Sequence, residues 1–172
     1  EELRARDPGA ELEHRWVPYE RISPWLKRAV VAAEDARFVD HAGIDWQALR
    51  DAFADNVEAG RVVRGGSTIS QQLAKNLFLS PERSYWRKIQ EAIIALMIEQ
   101  ALSKRRILEL YLNSIEWGEG VFGAGAAAEH YYGVDAAQLD RWQAALLAAR
   151  IPRPRYYSER GVTRFLYRRA ID

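Results

Sequence analysis

The chain has 172 residues, room for one ordinary domain and not for two. A hydrophobic share of 48% supports a buried core and excludes a disordered chain, while the lack of cysteine excludes disulfides, thiolate metal sites and cysteine nucleophiles. The net charge of +1 conceals a split, because residues 34–59 hold seven acidic and two basic side chains whereas residues 61–88 hold six basic and one acidic. A uniformly basic nucleic-acid binder would not be patterned this way.

In chain order, helix signals dominate. Ser23-Pro24 reads as an N-cap and first helical residue and predicts a helix through about Arg37. Asp45 caps a second, with Trp46, Leu49, Phe53 and Val57 at helical spacing and Gly60 as its stop. These four are expected in the core, the alternative being an amphipathic surface that meets lipid. Arg61-Val62-Val63-Arg64 suggests a short extended piece, and Arg64-Gly65-Gly66-Ser67-Thr68 a glycine turn feeding a helix from Ile69 to about Leu77. Ser80-Pro81 repeats the capping signature before a long helix reaching about Leu102, whose Ile89, Ile93, Leu96 and Met97 are expected in the core. Ser103 starts another helix through about Leu112, with Lys104-Arg105-Arg106 as a solvated start. Gly123 to Tyr132 forms an alanine-rich helix closed by Gly133, and Asp140 caps a last one ending at Arg150. The Pro-Arg-Pro-Arg-Tyr-Tyr tail is expected to be irregular.

No run approaches the roughly 20 apolar residues of a membrane span, since Ala92 to Ile98 is stopped by Glu99. The sole methionine is Met97, so the chain is expected to begin after its natural start, which leaves an upstream anchor open. Three widely spaced histidines, His14, His41 and His130, argue against a histidine zinc site. For His41 and His130, structural hydrogen bonds are the expectation.

Three constellations are candidates for chemistry, the alternatives being an exposed acidic helix end for the first, a flexible loop with a capped surface helix for the second, and solvated salt bridges with Glu82 and Glu91 for the third. Glu34-Asp35 closes the first helix; Glu34 has Val30, Val31 and Phe38 on its face, and apolar surroundings raise a carboxylate's pKa towards the range useful for proton transfer. Asp35 also has apolar neighbours, so position does not decide between the two. The glycine turn and its helix expose backbone N–H groups suited to an anion, with Gln71, Gln72, Lys75 and Asn76 on neighbouring strips. Arg83, Arg87 and Glu91 fall at i, i+4 and i+8, and with Lys88 they crowd the start of the long helix with cations that an anion would relieve.

Together these segments resemble the peptidoglycan glycosyltransferases that polymerise lipid II, in particular the monofunctional biosynthetic kind. Glu34-Asp35-Ala-Arg-Phe38-Val-Asp-His41-Ala-Gly43 looks like the family's first motif, and Gly65-Gly66-Ser67-Thr68-Ile-Ser-Gln71-Gln72-Leu-Ala-Lys75-Asn76 its second. Arg87-Lys88-Ile-Gln-Glu91-Ala matches the third, Lys104 to Asn113 the fourth, and Gly123 to Gly133 the fifth. Ser70 and Tyr132 stand where Thr and Phe are common.

The resemblance implies an all-α, lysozyme-like domain over residues 1–172 with a smaller membrane-apposed lobe that includes about 45–64. It implies a cytoplasmic-membrane enzyme acting on the outer face, with lipid II, the lipid-linked growing glycan and the membrane as partners, cell-wall synthesis and division proteins alongside, and no nucleic acid. Glu34 would be the catalytic base and Glu91 a catalytic residue near a divalent ion, Mg²⁺ or Mn²⁺, or orienting the basic groups; no organic cofactor is implied. Lys75, Arg83, Arg87 and Lys88 would hold pyrophosphate. Ser67, Thr68, Gln71, Gln72 and Asn76 would position substrate, with Asp35, Phe38 and His41 shaping the site. A glycan-cleaving lytic transglycosylase needs an acid but no diphosphate cradle, and a non-catalytic anion-binding module is the third alternative.

Overall fold

The computed structural model describes residues 12–61, 63, 65–80 and 84–171. The chain divides into two units, one made of Glu1–Ala33 with Leu112–Asp172 and the other of Glu34–Tyr111.

In the first unit, strand β1 (Glu13–His14) leads through a 3-10 turn to helix α1 (Pro24–Glu34), which belongs here up to Ala33. Ser23 caps α1 by accepting from the Trp25 N–H at 3.2 Å, while its own hydroxyl donates to the Leu139 carbonyl at 2.7 Å. After helix α5 (Lys104–Ser114) come β2 (Glu116–Gly118) and β3 (Val121–Phe122). The three strands form a sheet in the order β1-β3-β2, β3 lying parallel to β1 and antiparallel to β2. Two- and three-residue strands show no alternation, so the sequence carries no signal for them. Buried Asn113 fastens the sheet's entry, accepting from the Val17 N–H at 2.8 Å and donating to the Val17 carbonyl at 2.9 Å.

Helix α6 (Gly123–Tyr132) is buried from Gly123 to Ala128 and ends at Gly133, whose φ of 64° is left-handed. Its small residues permit close approach, because a Cβ on Gly125 would lie 2.6 Å from the Arg15 carbonyl oxygen. Helix α7 (Arg141–Arg150) starts with a capping box between Asp140 and Gln143. The tail, expected to be irregular, instead forms α8 (Pro154–Arg160) and α9 (Arg164–Ile171). Arg153 is kept out of helix by the following proline, as the pre-proline rule requires, but Pro154 then occupies the first helical position, where it lacks nothing. Tyr157 and Leu166 bury against Leu146 and Ala149 of α7 and hold both helices down.

The second unit contains α2 (Trp46–Ala59), α3 (Ile69–Phe78), α4 (Tyr85–Ala101) and α5 as far as Tyr111. Asp45 caps α2 by accepting from the Gln47 and Ala48 N–H groups, and Gly60 ends it at φ 62°. Helix α1 stops at Glu34 rather than near Arg37, since the following backbone forms turns, Phe38 N–H to the Asp35 carbonyl and Asp40 N–H to that of Arg37. Helix α4 is capped by Ser84, which accepts from the Arg87 N–H, and not by Ser80. Pro81 and Arg83 lie outside the described residues, as do Val62 and Arg64 of the suggested extended piece. Of the column expected at Arg83, Arg87 and Glu91, the described members Arg87 and Glu91 both lie on α4.

Helix α3 packs along α4. Ile69, Leu73 and Ala74 of α3, Ala95 and Ile98 of α4, and Ile107, Leu108 and Tyr111 of α5 are buried. Both apolar groups expected in the core are exposed instead. Trp46, Leu49, Phe53 and Val57 on α2 are 45–71% accessible, and Ile89, Ile93, Leu96 and Met97 on α4 are 41–62% accessible. On α4 the buried side carries Glu91, Ala95 and Ile98, so one polar, one small and one aliphatic residue, not Ile89, Ile93, Leu96 and Met97, meet the rest of the unit.

Candidate active site

The acidic pair at the end of α1 separates into two roles. Asp35 is buried and spent on scaffolding: its carboxylate accepts from the Ile69 N–H at 2.9 Å and from His41 Nε2 at 3.0 and 3.1 Å. The Gly43 N–H donates to His41 Nδ1 at 3.2 Å, so the imidazole proton sits on Nε2, facing Asp35. One carboxylate therefore joins the end of α1, the following loop and the start of α3. Phe38 is buried beneath the same loop, its ring 6.4 Å from that of His41 and 4.5 Å from the Lys104 ammonium. Lys104 is not the solvated helix start expected of it, since it donates to the His41 carbonyl and, at 2.7 Å, to Glu99.

The start of α3 is likewise self-satisfied. Thr68 accepts from the Gln71 N–H at 3.2 Å, the Gln71 side chain accepts from the Thr68 N–H at 3.0 Å, and the Thr68 hydroxyl donates to the Gly43 carbonyl at 2.6 Å. This is a capping box, and it turns Thr68 and Gln71, which the resemblance assigns to substrate, into buried supports of the helix terminus. The Thr-x-x-Gln spacing was the signal for it.

Glu34 is half-buried and keeps a different partner. Gln72 Nε2 donates to Glu34 Oε2 at 2.9 Å, and the Tyr111 hydroxyl donates to Gln72 Oε1 at 2.9 Å. Tyr111 is fully buried, and its pKa is pushed well up by burial and then by the charges of Glu34 and Asp35. Its part in this chain of hydrogen bonds had no signal in the sequence beyond membership of the fourth motif.

Cations gather beside this carboxylate. Lys75 is half-buried, and its pKa is lowered first by burial; Lys88 and Arg87 lower it further, and Glu91 and Glu34 oppose them. One lysine thus feels the acid at the end of α1 and the cations and acid of α4 together. Lys88 Nζ donates to Ser67 Oγ at 3.0 Å and pairs with buried Glu91. Arg87 donates from Nη1 to the Ser80 carbonyl at 3.3 Å, but among the described residues its buried Nε–H has no hydrogen-bond partner. A buried donor left unmade costs about 1–3 kcal/mol and marks a place where an acceptor from elsewhere would be stabilised. Asn76 is exposed on α3, and Arg83 lies outside the described residues.

A divalent cation at Glu91 finds a poor donor set. Its carboxylate is paired with Lys88 and neighbours Lys75, whereas a resident Mg²⁺ needs several oxygen ligands. Among the described residues, the acid and imidazole atoms close enough to share an ion belong to Asp35, His41 and Asp45. Those carboxylates are already hydrogen-bonded to backbone N–H groups and to His41. Among the described residues, these side chains offer such an ion a poor fit.

A carboxylate facing fixed cations, on a mainly helical frame, is the equipment of a group-transfer enzyme that takes a proton from a nucleophile and releases an anion. A family model described as transglycosylase matches residues 2–171. The biosynthetic peptidoglycan transglycosylase of Dechloromonas aromatica (strain RCB) is 64% identical over 156 residues, covering 91% of this chain and 68% of that protein. Proteins of the same description from Nitrosospira multiformis and Chromobacterium violaceum are 58% and 60% identical, covering 96% and 91% of this chain and 72% and 69% of theirs. The chain belongs to the transglycosylase family, whose lysozyme-like, mostly helical domain is the fold class described above.

Proposed function

We propose that this protein polymerises lipid II into β-1,4-linked peptidoglycan strands, releasing undecaprenyl diphosphate, and that it acts outside the cytoplasm. The single observation that carries this reading is that Lys75 feels the charge of Glu34 and the charges of Arg87, Lys88 and Glu91 together, within one unit. The acceptor sugar's 4-hydroxyl attacks the anomeric carbon of the lipid-linked glycan from the face opposite the diphosphate, so an α linkage becomes β. Glu34 takes the hydroxyl proton, help worth roughly 10²–10⁴-fold in rate. Lys75 and the Arg87 guanidinium meet the charge that grows on the departing diphosphate. That leaving group departs without protonation, which is why cations, rather than a second carboxylic acid, stand opposite the base.

Glu91 holds Lys88 in place, and a divalent ion would find its ligands on the substrate's diphosphate rather than on these side chains, where it would add positive charge to the leaving group. Asp35, His41, Thr68 and Gln71 set the geometry from behind. The exposed apolar faces of α2 and α4 suit a lipid-borne substrate and a membrane surface, although among the described residues no helix is long and apolar enough to cross a membrane. The decisive experiment supplies purified lipid II and follows glycan strands by gel. Glu34→Gln is expected to abolish strand synthesis while circular dichroism stays unchanged, and wild-type synthesis by that variant would remove Glu34 from its role.

A further inference from the structure

The resemblance gives Gln72 to the substrate, but its amide is already engaged on both sides. Its nitrogen faces Glu34 and its oxygen faces Tyr111, each at 2.9 Å. The orientation follows from chemistry. An ionised carboxylate only accepts hydrogen bonds, so the amide must turn its NH₂ towards Glu34; flipped, it would set a carbonyl oxygen against a carboxylate. With the amide so turned, the Tyr111 hydroxyl must donate. Tyr111 is suited to this, since it is fully buried and its raised pKa keeps the proton on its oxygen.

We infer that Tyr111 and Gln72 form a positioning relay for the base: the hydroxyl locks the amide, and the amide holds the Glu34 carboxylate ionised and aimed. The inference rests on the reading of Glu34 as general base. Three elements supply the relay, the end of α1, the middle of α3 and α5, so no local turn could replace it. Other charged groups bear on the same neighbourhood: Asp35 from the adjoining residue, Lys75 from α3, and Arg87, Lys88 and Glu91 from α4. Asp35 disfavours the charge on Glu34 and Lys75 favours it, and the relay adds a donor on the favouring side. Each removal of a donor to the ionised form raises the carboxyl's pKa.

The test reads strand synthesis by Tyr111→Phe, which removes one oxygen and keeps the ring, together with Gln72→Met, which keeps the length and removes the amide. Gln72→Met is expected to lower kcat at neutral pH about tenfold, the worth of a hydrogen bond to a charged group, and Tyr111→Phe by up to that amount, with KM for lipid II nearly unchanged in both. The acid limb of the kcat profile should move to higher pH in both, so that the deficit shrinks on the alkaline side. The double variant should be no slower than Gln72→Met alone, because the hydroxyl acts only through the amide. A uniform loss at every pH, or losses that multiply in the double variant, overturns the relay; should Tyr111→Phe fail to fold, the profile of Gln72→Met decides alone. Glu34→Gln is run beside them. If it is inactive while the other two keep wild-type profiles, the relay falls and the base stands, whereas an active Glu34→Gln removes the base itself.

Discussion

Adjacent side chains of the same chemistry diverge here because their partners differ. Asp35 spends its carboxylate on a helix N–H and a histidine, while Glu34, one residue earlier, meets a glutamine amide and a field of cations. Lys75 shows the complementary tension. It is held half-buried next to Arg87 and Lys88, which suits an incoming diphosphate and disfavours the empty site. Its folded pKa lies below its unfolded value, so the unfolded chain binds that proton more tightly. The resulting penalty on stability is complete below the folded pKa and disappears as pH rises past the unfolded one. Lys75→Met is therefore expected to lose strand synthesis yet melt at or above the wild-type temperature at pH 7, the difference narrowing at alkaline pH. Calorimetry of the two proteins across pH would settle this, and a clear fall in Tm at pH 7 would show Lys75 to be a stabilising residue instead.

Among the elements, α4 carries the most weight because its two sides do different work. The side towards α3 presents Glu91, Ala95 and Ile98; the other leaves Ile89, Ile93, Leu96 and Met97 in contact with solvent. Helix α2 repeats the pattern with Trp46, Leu49, Phe53 and Val57. Aliphatic and aromatic groups exposed in rows are what a membrane-surface helix offers lipid. Replacing Phe53 and Ile93 together by Ser should weaken sedimentation with phospholipid vesicles at least tenfold, each lost side chain being worth about 1.5–3 kcal/mol when buried. Neither side chain is covered in the folded protein, so Tm should stay within a degree or two. Unchanged vesicle binding would mean that these faces meet something other than lipid.

At the scale of the whole molecule, every described residue of the candidate site falls within the unit Glu34–Tyr111, while the unit that includes the sheet and α6 to α9 supplies none of them. The near-neutral net charge is the sum of an acidic stretch and a basic one, and folding sets the Glu34 end of the first beside the Lys75–Lys88 part of the second. That field attracts a diphosphate and repels a free divalent cation. Mg²⁺ or Mn²⁺ alone is accordingly expected to leave the melting temperature unmoved and to give no heat in a calorimetric titration of the protein without substrate. A saturable titration by either ion would reveal a resident metal site.

What the amino-acid order determined by itself was local. Caps at Ser23, Asp45, Thr68 and Asp140 and stops at Gly60 and Gly133 are satisfied by neighbours within a turn, so the helix ends they mark could be read without a fold. The first three motifs likewise marked residues that gather in one unit. Tertiary structure alone decided which of two carboxylates binds the Ile69 N–H and His41 and which meets Gln72, which side of α4 was covered, and that Tyr111, 39 residues further along, would secure the amide of Gln72. Periodicity defines an apolar side but not whether anything packs on it, and a side chain's hydrogen-bond partner across 30 or 40 residues has no trace in the spacing.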